Sequence, residues 1–364
     1  MKPRLVSIGL ATPAHSISQD GSADLARLMA PAHVSGDVVA KITRRTGIRS
    51  RGSMLLDADA CQTFYRTPRD ADDRGPSTGE RLANATRDAA VLGSQAAQRA
   101  LDEAPAAASS ITHLITASCT TLEAPGFDQG IISALGLSRD VRRTHVGFMG
   151  CHAAINALAM ARAIAASDAQ ATVLVVCVEL CSLHMHYSDR TDQLIANALF
   201  ADGAAAAIVR QEASEAPHLA ALGSRIFADA AGASTADAMA WSVSDHGFAM
   251  TLDKRVPELL RGGVPEWIDG VVARAGCTRE QVGAWAIHPG GPRIVQTILE
   301  ALLLREEVRL QGEVDAMSVL EAHGNMSSAT VLFILKRLME RGAPRPWVAM
   351  AFGPGLAGEA VVLG

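Results

Sequence analysis

Short apolar runs alternate along the chain with longer Ala-rich stretches of helical spacing. Arg4 to Leu10 predicts a strand that breaks at Thr12-Pro13, and Leu82 to Leu101 predicts a helix. Between them, residues 53 to 80 are polar, with Arg66, Pro68, Asp70, Asp72, Asp73 and Arg74, and predict a surface loop with short helical pieces. Ile111 to Ser118 predicts a strand before a Pro125-Gly126 turn. Val146 to Cys151 passes straight into an Ala-rich helix ending near Ala166. Ala171 to Leu180 is apolar on both faces, as a buried strand should be, and Ala204 to Val209 predicts another, entered by an Asp202-Gly203 turn.

The second half repeats the alternation. Strands are expected at Ala284 to Ile287, Trp347 to Ala351 and Glu359 to Leu363, helices at Ile294 to Leu304 and Ser327 to Glu340, and a loop at Glu321 to Asn325. Alternation in both halves predicts an α/β fold with parallel or mixed sheets sandwiched by helices. Each half carries a glycine turn followed by an Ala/Ser-rich helix, so a two-fold architectural repeat is expected, divided near residues 1–215 and 216–364. No linker separates them, so the halves are expected to share a core.

Composition narrows the function classes. The 364 residues are 49% hydrophobic and 20% charged, which excludes a disordered regulator. A net charge of -5 and a pI near 6.1 argue against a nucleic-acid binder, and 4% aromatics argue against stacked-base recognition. The longest apolar stretch, Ala171 to Leu183, is interrupted by Glu179 and is too short to span a membrane. The N-terminus does not read as a signal peptide and six cysteines in so long a chain do not read as a disulfide framework, so a reducing cytosol is expected.

Three residues stand out chemically. Cys151 follows a strand-like run and immediately precedes a helix, where free amides and the helix dipole favour thiolate. Gly147 and Gly150 let the backbone turn there and are expected to leave amides free for an oxyanion. The competing reading is a small buried hydrophobe. His288 ends an apolar strand and enters the rigid Pro289-Gly290-Gly291-Pro292 turn, at the sheet edge where α/β folds bind ligands; alone it reads equally as a loop histidine. Asn325, in His323-Gly324-Asn325-Met326-Ser327-Ser328, reads either as a helix N-cap or as an amide donor. Together a thiol nucleophile and two N–H donors suit acyl transfer and decarboxylation better than hydrolysis.

Two patterns are decoys. Cys177, Cys181, His184 and His186 resemble a metal cluster, but Cys177 and Cys181 are read onto one face of an apolar strand and His184 onto the other, so no metal is expected. Gly353-Pro354-Gly355-Leu356-Ala357-Gly358 spells a dinucleotide fingerprint, yet a strand follows where a helix is required.

Nearly end to end, the sequence resembles the type III polyketide synthases, the chalcone and stilbene synthase superfamily with a thiolase fold. The resemblance rests on Thr12-Pro13, Ser118-Cys119-Thr120, Pro125-Gly126, Gly150-Cys151, Ala198-Leu199-Phe200-Ala201-Asp202-Gly203-Ala204, His288-Pro289-Gly290-Gly291-Pro292, Gly324-Asn325-Met326-Ser327-Ser328 and Phe352-Gly353-Pro354-Gly355-Leu356. It implies a duplicated α-β-α-β-α layered fold. It implies Cys151 as the acylated nucleophile, His288 and Asn325 as donors to the thioester oxygen, and Phe200 as a gatekeeper beside the malonyl carboxylate. Cys119, Thr120, Cys181, His184, Met250 and Ser327 would line the cavity, and Arg44, Arg45, Arg49 and Arg51 would attract the CoA phosphates. Acyl-CoA starter and malonyl-CoA would be the substrates, with no cofactor beyond CoA carried on them. A homodimer is implied, with a loop near Ala124 approaching the partner.

The chain departs from the family in places. His152-Ala153-Ala154 follows the nucleophile where Ala-Gly is common, and Cys119, Cys181 and His184 stand where plant enzymes carry Thr or Ser. Met250 replaces a second gatekeeper Phe, and Met239-Ala240-Trp241 with Asp245-His246-Gly247-Phe248 is closer to bacterial pyrone, resorcinol and naphthalene synthases. Two other readings remain. A single-round synthase resembling 3-oxoacyl-carrier-protein synthase III would need carrier protein. A silent thiolase-fold partner subunit would leave Cys151 unacylated.

Overall fold

A computed structural model describes residues 1–364. Two mixed sheets carry the fold. The first has five strands in the spatial order Pro3–Ala11, Asp202–Gln211, Thr172–Leu180, His113–Ser118 and Arg142–Gly147. The second has four, in the order Ala284–Ile287, Trp347–Gly353, Ala357–Leu363 and Leu219–Ile226.

The central strand Thr172–Leu180 shows how sequence becomes layering. All nine residues are buried. Because side chains alternate across a strand, Val173, Val175 and Cys177 enter one apolar cluster and Leu174, Val176 and Val178 enter another. Helix Ala85–Glu103 covers the second face through Leu92, Ala96 and Ala100. Helix Ala153–Ser167 covers the first through Ala154, Leu158 and Ala161. Each fully buried Val or Leu contributes roughly 1.5–3 kcal/mol, so this strand anchors the N-terminal half.

Helices Ala153–Ser167 and Thr330–Glu340 lie between the two sheets, and helices Val256–Arg274 and Glu306–His323 cover the outer face of the second. The order of layers is therefore α-β-α-β-α, the thiolase-like arrangement. A single cluster of 62 buried residues runs from Leu5 to Leu363 and joins the halves.

Several expectations need correction. The 82–101 helix is two pieces, Thr78–Leu82 and Ala85–Glu103. Asp202-Gly203 is no turn: Asp202 opens the strand itself and its buried carboxylate holds the Ser182 and Met54 amides. Glu321 to His323 is not loop but the end of helix Glu306–His323. That helix escapes a pattern reading because its buried face includes Gly312 and Asp315, the latter fully buried and paired with Arg337 and Arg341. A hairpin, Met239–Ser244 with Gly247–Leu252, was also not anticipated; it becomes one wall of the site.

Candidate active site

Cys151 sits in a single 3-10 turn, Gly150–His152, that leads from strand Arg142–Gly147 into helix Ala153–Ser167. Gly150 has φ +74°, and a Cβ there would lie 2.2 Å from Pro354 Cδ. Only glycine permits both the left-handed turn and that approach. The Gly150 amide is not free for an oxyanion, however: it donates to Cys119 Sγ at 3.0 Å. Nor does the helix end lower the thiol. Burial pushes Cys151 up to about 12, opposed by hydrogen bonds from Ser327, Asn325 and its own amide.

His288 follows strand Ala284–Ile287 and is 1% exposed. Neither ring nitrogen has a partner in the protein. Burial holds it at about 3, so the free ring is neutral, with one N–H to donate and one lone pair to accept a proton. With no protein partner on either nitrogen, both its donor and its acceptor are available to a molecule in the adjoining space.

Asn325 is not the helix N-cap, a position that falls to Met326 and Ala329. Its Oδ1 accepts from the Ser327 amide two residues on, at 2.8 Å, in a side-chain turn that leads into Ser327–Ala329. That contact fixes the side chain with Nδ2 turned toward Cys151, consistent with its lowering effect on the thiol.

Cys151, His288, Asn325 and Phe200 all border one apolar space. An adjoining space is lined by Cys119, Thr120, Cys151, Cys181, Met250 and Ser327. His184 borders neither space. Its Nε2 donates to the Thr120 carbonyl at 3.0 Å and its ring stacks on Phe248 at 4.0 Å, so it braces the wall from behind. His152 also points away, its Nδ1 2.7 Å from Asn156 Oδ1.

Three wall elements were not identified from sequence. Trp241 packs edge-on against Phe200 at 6.0 Å and donates its indole N–H to the Cys119 carbonyl at 3.3 Å. Phe148, φ +58°, borders the same space. Glu179, fully buried below the cavity floor, accepts from the Cys119 amide at 3.0 Å, from Thr120 Oγ1 at 2.9 Å and from the Ser328 amide and hydroxyl. Desolvation raises it to about 6. The clue in sequence was Glu179 itself, a carboxylate inside an apolar strand.

The four arginines separate. Arg45 borders an outer basin of about 970 Å³ that adjoins the His288 space through Leu199, Leu252, Gly290 and Ile294. Arg44 is paired with Asp20 and Arg49 with Glu321, on the surface outside the basin. Arg51 is not at an entrance at all. It is buried, and its guanidinium donates to the carbonyls of Asn197 and Phe200 and to Ser22 Oγ. The basin's other cations, Arg190, Lys254 and Arg293, were not identified; Arg293 directly follows the Pro-Gly-Gly-Pro turn. The cysteine–histidine decoy does not converge: Cys177 lies mid-strand, Cys181 opens the turn Cys181–His184 rather than continuing the strand, and no group of three metal-ligating side chains is assembled.

The profile of chalcone and stilbene synthases matches the chain in two parts, the N-terminal domain over residues 2–213 and the C-terminal domain over residues 231–364. The chain belongs to this family and is a type III polyketide synthase, an acyltransferase. It is 29% identical to the alpha-pyrone synthesis polyketide synthase-like Pks18 of Mycobacterium tuberculosis, covering 97% of this chain and 89% of that protein. Among solved structures it superposes on PKS-I from the brown alga Ectocarpus siliculosus with TM-score 0.89 and 28% identity, covering 100% and 98% of the two chains. It superposes on 1,3,6,8-tetrahydroxynaphthalene synthase from Streptomyces coelicolor A3(2) with TM-score 0.85 and 26% identity, covering 99% and 98%. No helix is long and apolar enough to cross a membrane.

Proposed function

We propose that Cys151 carries the growing chain and that His288 and Asn325 act on the thioester oxygens. The supporting observation is that these three and Phe200 border one apolar space. Proton transfer from the Cys151 thiol to the unpaired His288 nitrogen creates the nucleophile without net charge. The thiolate attacks the starter acyl-CoA and expels CoA thiolate, which takes up the proton. Neutral His288 and the Asn325 amide then hold the malonyl thioester oxygen. The C–C bond to the carboxylate breaks, carbon dioxide leaves past the apolar Phe200 ring, and the electron pair becomes an enolate stabilised by the two donors. The enolate carbon attacks the Cys151 thioester and displaces the thiolate. Repetition gives a poly-β-keto chain that closes to a pyrone, resorcinol or related aromatic. Malonyl or a methylated extender fits this scheme equally.

Arg45, Lys254 and Arg293 have no carboxylate partner and border the outer basin, which suits the CoA phosphates. CoA is the only carrier the scheme calls for, and a cytosolic setting supplies it. A homodimer is supported by Leu122, Phe148 and Met149, exposed at 51%, 39% and 39% beside the loop bearing Ala124.

The test is purified protein with malonyl-CoA and acetyl, medium-chain, long-chain or aromatic starters, read by mass spectrometry. A cyclised product and acylated Cys151 are expected. No product from any starter, with Cys151 unmodified, overturns the reading.

A further inference from the structure

The hairpin Met239–Ser244 with Gly247–Leu252 belongs to neither main sheet. Two strands alone are marginally stable in water, so the place of this hairpin is set by what grips it. Strand Gly247–Leu252 is held along its length. Phe248 is buried and stacks on His184, and the Met250 amide donates to Gln193 Oε1 at 3.1 Å. Strand Met239–Ser244 carries Trp241, which packs on Phe200 and donates to the Cys119 carbonyl. Met239, Trp241 and Met250 line the space beside Cys151.

Thr78 grips the tip. Its hydroxyl donates to the Ser244 carbonyl and accepts from the Gly247 amide at 2.7 Å, and its own amide donates to the Asp245 carbonyl at 2.8 Å. His246 adds another hold, its Nδ1 donating to the Gly75 carbonyl at 3.0 Å. The whole turn of the hairpin is therefore fixed to the segment Gly75–Thr78. That segment is itself anchored. Thr78 opens helix Thr78–Leu82, which Ser77 and Glu80 cap reciprocally. In the same helix, buried Arg81 donates to the carbonyls of Leu183 and Met185 at 2.6 and 2.9 Å and to Tyr65 OH at 2.9 Å. This ties the helix to the turn Cys181–His184, whose first residue lines the cavity. Gly247, φ +101°, lets the tip sit this close: a Cβ there would lie 3.0 Å from Arg81 Nε. Thr78 itself borders neither space at Cys151. It acts about 10 Å from Trp241, along the extended strand that Ser244 ends.

We propose that Thr78 is a positioning residue for chain length: by clamping the hairpin tip it holds Trp241 against Phe200 and so sets how many malonyl units the cavity admits. The proposal rests on the reaction scheme above. Without the hydroxyl, the Ser244 carbonyl and the Gly247 amide turn to water, the tip lifts, and Trp241 retreats from Phe200. The cavity then admits a further unit.

Two measurements test it. Thr78→Val keeps the branched shape and loses the hydroxyl, whereas Thr78→Ser keeps the hydroxyl. The first measurement is the ratio of product one unit longer to wild-type product, made from hexanoyl-CoA and malonyl-CoA and read by mass spectrometry. Two unmade hydrogen bonds should raise this ratio at least ~5-fold in Thr78→Val, and Thr78→Ser should stay near wild type. A product ratio does not depend on the fraction of enzyme folded. The second is acrylamide quenching of tryptophan fluorescence without substrate. The other three tryptophans, Trp267, Trp285 and Trp347, are buried, so quenching reports Trp241. It should rise in Thr78→Val and not in Thr78→Ser. If Thr78→Val does not fold, His246→Ala, which removes the bond to Gly75 alone, should move both readings the same way. Thr78→Val combined with Trp241→Ala should lengthen the product no further than Trp241→Ala does, because one acts through the other. An unchanged product ratio in folded Thr78→Val, an equal shift in Thr78→Ser, or a full additional shift in the double variant overturns the proposal. Absence of product from every starter, wild type included, counts instead against the reaction scheme, and quenching still decides the clamp.

Discussion

The backbones of Phe200 and Asn325 are bridged. The Asn325 amide donates to the Leu199 carbonyl and the Ala201 amide donates to the Asn325 carbonyl, each at 2.9 Å. The apolar wall and the amide donor, 125 residues apart in sequence, are thus one rigid piece, itself held from behind by Arg51 on the Phe200 carbonyl. Positioning of this kind makes a site intolerant of small changes.

The proposed donor role of Asn325 separates cleanly from its hold on the Ser327 amide. Asn325→Asp keeps an oxygen for the Ser327 amide but removes the N–H donor and adds negative charge where an enolate forms. Condensation should fall by about 10²–10³ with little change in the urea midpoint. Cys151→Ala should abolish the acyl-enzyme seen by intact-protein mass spectrometry.

Arg45 and Arg51 should behave oppositely. Arg45→Ala is expected to raise KM for CoA thioesters severalfold at low salt, with the difference shrinking as ionic strength rises. Arg51→Ala leaves two carbonyls and the buried Asp202 without their cation. It should cost about 3–5 kcal/mol in urea unfolding, with no salt-dependent KM effect in the folded fraction.

Glu179 gives a pH prediction. Its folded value of about 6 lies above the ordinary 4.5, so the native state binds its proton more tightly than the unfolded chain. Its contribution to stability is complete below pH 4.5 and is lost as pH rises past 6, a change of about 2 kcal/mol. Glu179→Gln does not titrate. The wild-type stability minus that of Glu179→Gln should therefore fall by about 2 kcal/mol between pH 4.5 and 7, as read by urea unfolding; a flat difference would contradict the assignment.

Trp241 limits the cavity. Trp241→Ala removes a ring packed on Phe200 and Phe248 and should let the chain grow by at least one extension, seen as a heavier product from the same starter. The ring is half-buried, so the stability cost should be about 1–3 kcal/mol.

The sequence by itself determined the layered α/β class and singled out Cys151, His288 and Asn325, while Phe200 was named only through the family resemblance. Each was legible because its chemistry is tied to a local pattern: Gly150-Cys151 before an Ala-rich helix, His288 before Pro-Gly-Gly-Pro, Gly324-Asn325 before Ser327. Strand Thr172–Leu180 was legible because it is apolar throughout. Only the tertiary structure decided what depends on distant neighbours. Arg49 and Arg51 look alike in sequence, yet pairing of Ile17 with Arg51 in a short antiparallel ladder turns Arg51 inward and leaves Arg49 on Glu321. The Cys151 thiol was expected to be lowered by its helix; desolvation by residues from both halves raises it instead, because burial outweighs a partial charge at one helix end. The place of Trp241 is set by a hairpin whose half-buried, weakly alternating strands gave no periodic signal, and the space bordered by Phe200, Ser182 and Met185 exists only once the segments carrying Ile17, Leu25 and Leu55 fold over them. Cavities are bounded by segments far apart in the chain, and no local pattern records their separation.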